Sequence, residues 1–205
     1  MGMFDVDNPV MVFLGKLVDM MVLNLLTLAL CIPLVTAGAS LTAMHYTALK
    51  MFRGEGDGIF RLFFRSFRLN LRQATLLWGI LLIPGILIGM CLAAVLQNTE
   101  AFPAFLGIAL IVSLLLLYMI GTMAFTLLAR FDNTIGKTLY NAVTLTFSIL
   151  PRSLLILLMH AAPFALMYFV PPALPLALLF LLSGPAIGTA RLLDPVFRKL
   201  EGLTE

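Results

Sequence analysis

Apolar residues run along this chain in blocks long enough to cross a bilayer, which takes about 20 residues of helix, and the polar positions between them are sparse. The clearest blocks are 74–96 and 104–129. They are separated by "QNTEAFP" (97–103), which holds one acid and neither lysine nor arginine, so the spacing predicts a helical hairpin. A first block, 17–37, is interrupted by Asp19, Asn24 and Pro33. Two shorter blocks, 153–170 and 173–190, flank Pro171 and Pro172. Proline cannot continue the hydrogen-bond ladder of a preceding helix, so a second hairpin with a tight turn is expected there. The pattern predicts an all-α integral membrane protein, a single helical domain over 1–205 with about five transmembrane helices.

Two further stretches carry a helical period without being uniformly apolar. Over 60–73, Arg61, Arg65, Arg68 and Arg72 recur at spacings of 4, 3 and 4, which places them on one side of a helix turning about 100° per residue. Phe60, Phe63, Phe64, Phe67 and Leu71 cover a broad arc away from them. This is a basic amphipathic helix, read either as an interfacial helix on anionic headgroups with its phenylalanines dipping beneath, or as a docking face for a partner. Over 137–150, Asn141, Thr144 and Ser148 oppose Leu139, Val143 and Leu150, with far less charge.

Composition removes the soluble alternative. Of 205 residues, 61% are hydrophobic and 11% charged, and the mean hydropathy is +1.07; a soluble domain of this size lacks the interior to hide such a surface. The lipid bilayer is the expected solvent, and no nucleic acid is expected as a partner. Because cytoplasmic loops are enriched in lysine and arginine, placing 38–73, 130–152 and the C-terminal tail in the cytoplasm leaves Lys16 as the only one of thirteen basic residues outside. That arrangement implies a multi-pass protein of the bacterial cytoplasmic membrane with its N-terminus outside and its C-terminus cytoplasmic. The alternative is a re-entrant turn at Pro33 and "TAGAS" (36–40), with "LTAMHYTALKMF" (41–52) dipping back and the N-terminus inside. The first 16 residues show no secretory signal. "LRQATLLWGILLIP" (71–84) also resembles "LPRSLLILLMHAAP" (150–163), and the hairpins that follow end in "ARFDN" and "ARLLDP", which reads as a weak two-fold repeat.

Catalytic chemistry finds little to work with. Metal-assisted or acid/base catalysis needs clustered His, Cys, Asp or Glu. The chain has two histidines, His45 and His160, and two cysteines, Cys31 and Cys91, each cysteine inside an apolar run, and no HExxH, GxSxG or Walker pattern occurs. No enzyme activity, metal or cofactor is expected. "GEGDG" (54–58) lacks the Lys-Ser/Thr of a phosphate loop and the ligand spacing of an EF-hand, and reads as a break between helices. The polar groups at membrane depth are the better candidates: Asn24 and His160, with Asp19 nearer water, as ligand or proton sites or as interhelical hydrogen-bonders. Arg130 and Arg191 end helices on the side assigned to the cytoplasm and are expected as anchors.

The segment 14–78 resembles the N-terminal signature of the YesL family of small bacterial integral membrane proteins. The resemblance rests on Asp19 and Asn24, on Pro33, Thr36, Gly38, Ala39 and Ser40, on Arg53 and Gly54, and on the Phe63 to Phe67 region. It implies a multi-span protein encoded beside carbohydrate ABC importers and sensor kinases, hence an accessory or regulatory component of carbohydrate uptake or sensing with those components as partners. A small transporter in its own right is the alternative.

Overall fold

The computed structural model describes residues 9–55 and 58–202. The extreme termini, 1–8 and 203–205, and the middle of "GEGDG" lie outside the described residues. Within them the chain is helical, with no strand. The helices are α1 (Pro9–Cys31), α2 (Ala37–Phe52), α3 (Ile59–Gln97), α4 (Ala104–Arg130), α5 (Ile135–Ser148), α6 (Leu150–Phe169), α7 (Leu174–Phe180) and α8 (Ser183–Glu201), with short 3-10 turns at Leu34–Thr36 and Pro171–Ala173. Four helices, α1, α3, α4 and α6, are long and apolar enough to cross a membrane, and α7 with α8 makes a fifth segment, bent by 56°. The all-α membrane architecture stands.

The first apolar block does not run through to residue 37. Pro33 has no N–H to offer the ladder, so α1 stops at Cys31, and Thr36 Oγ1 secures the turn by donating to the carbonyls of Leu30 (2.7 Å) and Pro33 (2.9 Å). The chain then returns as α2 against α1. Ser40 Oγ donates to the Thr27 carbonyl near the turn, and Lys16 and Asp19 share a cleft with Met51, Gly54 and Glu55 at the other end. Lys16 therefore sits at the same end of the bundle as the 53–58 connection. The layout with the N-terminus outside puts these two on opposite sides of the membrane, whereas a return of 41–52 after the turn at Pro33 puts them at one end, as they lie here. Thr75 Oγ1 reaches the Val35 carbonyl (3.1 Å), which sets the turn beside the middle of α3, with about 30 Å of that helix still to run at 1.5 Å per residue.

Lipid is as apolar as leucine, so helices in a membrane associate by close packing rather than by transfer from water, and small residues supply it. Helix α2 is built that way. Ala37, Gly38, Ala39, Ser40, Thr42, Ala43, Thr47 and Ala48 are all buried, and it packs on α1, α3, α4 and α8. Thr42 and Thr47 return their hydroxyls to carbonyls four residues back, so neither hydroxyl is left unpaired on the packed faces. Gly38 lies against α3 so closely that a Cβ would collide with the Ala74 carbonyl oxygen and sit 2.6 Å from the Trp78 Cβ. At the other end of α2, Gly54 adopts φ +67°, and bonds from Gly54 N–H to Met51 O and from Glu55 N–H to Lys50 O close a Schellman turn. The glycines of "GEGDG" thus do conformational work at both edges of the break, since Gly58 also has φ +93°.

The basic stretch 60–73 and the apolar stretch 74–96 are one uninterrupted 39-residue helix, α3. Nothing between Arg72 and Leu82 breaks the ladder, so the stretch cannot lie flat on a membrane that 74–96 crosses. Nor do its phenylalanines all dip into lipid: Phe63 is fully buried, stacked on Phe67 at 6.3 Å and edge-on to Phe64 at 5.8 Å. The second half is built differently. Thr134 caps α5, and a break at Ile149 separates α5 from α6, so the two halves of the sequence repeat are not structural equivalents. The last apolar block, 173–190, is also not one helix but α7 and α8.

Candidate functional site

The bend between α7 and α8 is where Asn24 acts. Its Nδ2 donates to the Leu178 carbonyl (2.8 Å), and its Oδ1 accepts from the backbone N–H of Leu182 (2.8 Å) and of Ser183 (3.4 Å). Residues 178 and 182 are the partners that a continuous helix would join directly, so the carboxamide of α1 occupies one rung of the ladder of another segment. A side chain inserted into the ladder is one of the few causes of a sharp bend, and broken backbone in an apolar setting must be satisfied by protein. Asn24 is fully buried.

Among the described residues His160 makes no hydrogen bond to another helix. Its Nδ1 donates to the Ile156 carbonyl on its own α6 (2.9 Å), and its ring meets Tyr118 of α4 edge-on at 5.8 Å. His45, which sequence reasoning counted without assigning a role, is 4% exposed on α2 and lines the same cavity as His160 and Tyr118. Asp19 is exposed at the open end of the α1–α2 hairpin.

A set of ion pairs ties the ends of α2, α4 and α8 together. Arg53 Nε donates to Asp194 Oδ1 (2.5 Å), its Nη2 also contacts that oxygen, and Arg198 Nε donates to Oδ2 (2.7 Å). The side chains of Arg53 and Asp194 are 9% and 5% exposed. Arg130 forks onto Glu201, Nε to Oε1 at 2.8 Å and Nη2 to Oε2 at 2.7 Å. Arg130 is therefore a tie between helices as well as a helix terminus, whereas Arg191 is exposed. In the neighbouring loop Lys50 donates to Glu55, and this hydrogen bond holds the Glu55 carboxyl below its ordinary range. The sequence signal for these ties was present in "ARFDN" and "ARLLDP", whose charges stand out in apolar surroundings, but only the fold pairs Asp194 with Arg53, 141 residues away.

Arg61, Arg65, Arg68 and Arg72 are all exposed along one side of α3, while Leu62, Phe63 and Ser66 of the same turns are buried. The row is presented by a helix held in place along its opposite side. On α5, Asn141, Thr144 and Ser148 line a cleft with Leu127, Phe131 and Leu200. Among the described residues no group of three His, Cys, Asp or Glu could hold a metal ion.

No curated protein and no solved structure matches this chain. One family model does: that of DUF624, proteins of unknown function, matches residues 20–91, a stretch holding Asn24, all of α2, Arg53 and the arginine row.

Proposed function

We propose that the chain is a non-enzymatic accessory or regulatory subunit of a bacterial membrane assembly, docking a partner through the arginine row of α3. The observation that carries this reading is the length and continuity of α3. At 39 residues and 1.5 Å per residue it measures about 58 Å, roughly twice the ~30 Å hydrocarbon core. An apolar half that spans the membrane leaves the basic half standing clear of it, as a rigid guanidinium ladder rather than a lipid float. The resemblance to the YesL family supplies the context, carbohydrate uptake or sensing, with importer or sensor-kinase components as the partners. Replacing all four arginines by lysine keeps the charge but loses the planar two-pronged donor. Recovery of crosslinked partner from cells is expected to fall about tenfold, the scale of a lost charge-assisted hydrogen bond, and to match the all-glutamine variant. Equal recovery from lysine and arginine forms would leave only a membrane-surface role.

The orientation proposed with it places the end carrying Arg53, Arg130 and Arg198 in the cytoplasm of the cell. Since Lys16 shares that end, reporters at the N- and C-termini should both report cytoplasm, and one inserted at Asn98 the exterior. An exterior signal from the N-terminal reporter would defeat this orientation.

The bend between α7 and α8 favours a second reading, a small transporter, because discontinuous helices within the apolar region are a common element of transport sites. Sugar uptake by proteoliposomes holding this chain alone would select it.

A further inference from the structure

The chain contains two histidines and one tryptophan, and all three line a single cavity of about 270 Å³ among α2, α3, α4, α6 and the α7–α8 bend. Most of the rest of its wall is apolar, including Leu41, Leu81, Leu117 and Phe125, with Tyr118 and Thr122 as further polar side chains, the Thr122 hydroxyl donating to the Tyr118 carbonyl. Its polar groups are incompletely used. Trp78 Nε1 is buried without an acceptor among the described residues. His45, 4% exposed on α2, lines the cavity beside it. His160 spends Nδ1 on the Ile156 carbonyl; a carbonyl can only accept, so in the neutral ring Nε2 carries a lone pair facing no proton of its own. A buried polar group without a partner is costly and rare in native proteins, and the Trp78 indole N–H belongs to the wall of this chamber. Tyr118, 45% exposed, marks where the chamber reaches the surface of the bundle.

We infer that this cavity is a binding site for a small, mainly apolar molecule bearing one hydroxyl group, of the phenol class. A hydroxyl accepts from an indole N–H and donates to an imidazole lone pair, so one group answers both kinds of unused partner. No Lys or Arg lines the cavity, which disfavours a carboxylate or phosphate, since a buried anion needs a counter-charge. Two histidines without a third ligand disfavour a metal. The volume suits a ring: an apolar cavity of about 150 Å³ already holds benzene.

Trp78, as the sole tryptophan, reports on the site directly. With the full chain in lipid nanodiscs, 4-bromophenol should quench its fluorescence saturably, with an apparent affinity at least tenfold above that of bromobenzene, which has the ring and the bromine but no hydroxyl. His45→Leu or His160→Leu should weaken bromophenol by about tenfold, the scale of one buried hydrogen bond, and leave bromobenzene unchanged. Quenching that is linear and equal for both probes would mean simple partition into lipid and would overturn the assignment. The comparison of probes on the unmodified protein decides the matter even if a variant does not fold.

Discussion

Asn24→Leu is expected to destabilise the folded bundle by about 2–5 kcal/mol, the cost of leaving the Leu178 carbonyl and the Leu182 N–H, with the more distant Ser183 N–H, without their partner. Leucine has the same number of side-chain heavy atoms as asparagine, branched at the same carbon, so the change opens no cavity while removing the hydrogen bonds. The average interhelical hydrogen bond in membrane proteins contributes only about 0.6 kcal/mol, because the unfolded state in the membrane also finds partners. Asn24 differs in what it bonds. It fills the rung between the Leu178 carbonyl and the Leu182 N–H, and once it is gone those groups can meet only by straightening the 56° bend. Straightening would carry α8, with Asp194 and Glu201, away from Arg53 and Arg130. Loss of helicity on titrating SDS into mixed micelles is the measurement, and the midpoint should move to lower SDS. Asn24→Asp keeps an acceptor for Leu182, and at a pH where the acid is protonated its O–H can still donate to the Leu178 carbonyl, so there it should fall between the two and nearer the parent. An unchanged midpoint for the leucine variant would show that the bend stands without its bracket.

Much of this architecture was legible from hydropathy because a bilayer-length apolar run has few other readings. The hairpin of α3 and α4, and α6 after its break, fall close to their expected limits, as 74–96 and 104–129 became the apolar parts of Ile59–Gln97 and Ala104–Arg130. What hydropathy could not see is α2. Its buried faces are mostly alanine, glycine, serine and threonine, small residues that do not add up to a strongly apolar run, and its importance lies in how near they let α3 approach. The continuity of α3 was equally hidden: the change from basic to apolar at Gln73 looks like a boundary, but composition can change along a helix whose ladder does not break. Asn24 was visible as a polar residue in an apolar run, and so was a reason to look; that it would serve a segment more than 150 residues away is a property of the fold. His45 carried no periodic or motif signal at all.

The ion pairs at the basic end lead to the other large expected effect. Asp194→Ala should cost about 3–5 kcal/mol, since it strands the Arg53 guanidinium in a site where its side chain is only 9% exposed. The contribution of Arg198 to this loss is small, because that side chain is 64% exposed and water can replace its partner. The pair itself need not be strongly stabilising, as desolvating two charges offsets most of their attraction. The double variant Arg53→Met with Asp194→Leu, which removes both charges and keeps apolar bulk, should therefore recover most of the loss. SDS midpoints of the three variants against the parent read this out as a cycle. A double variant as unstable as the single would mean that the Arg53–Asp194 bond does more than cancel buried charge, and that its geometry is what holds the end of α2 against α8.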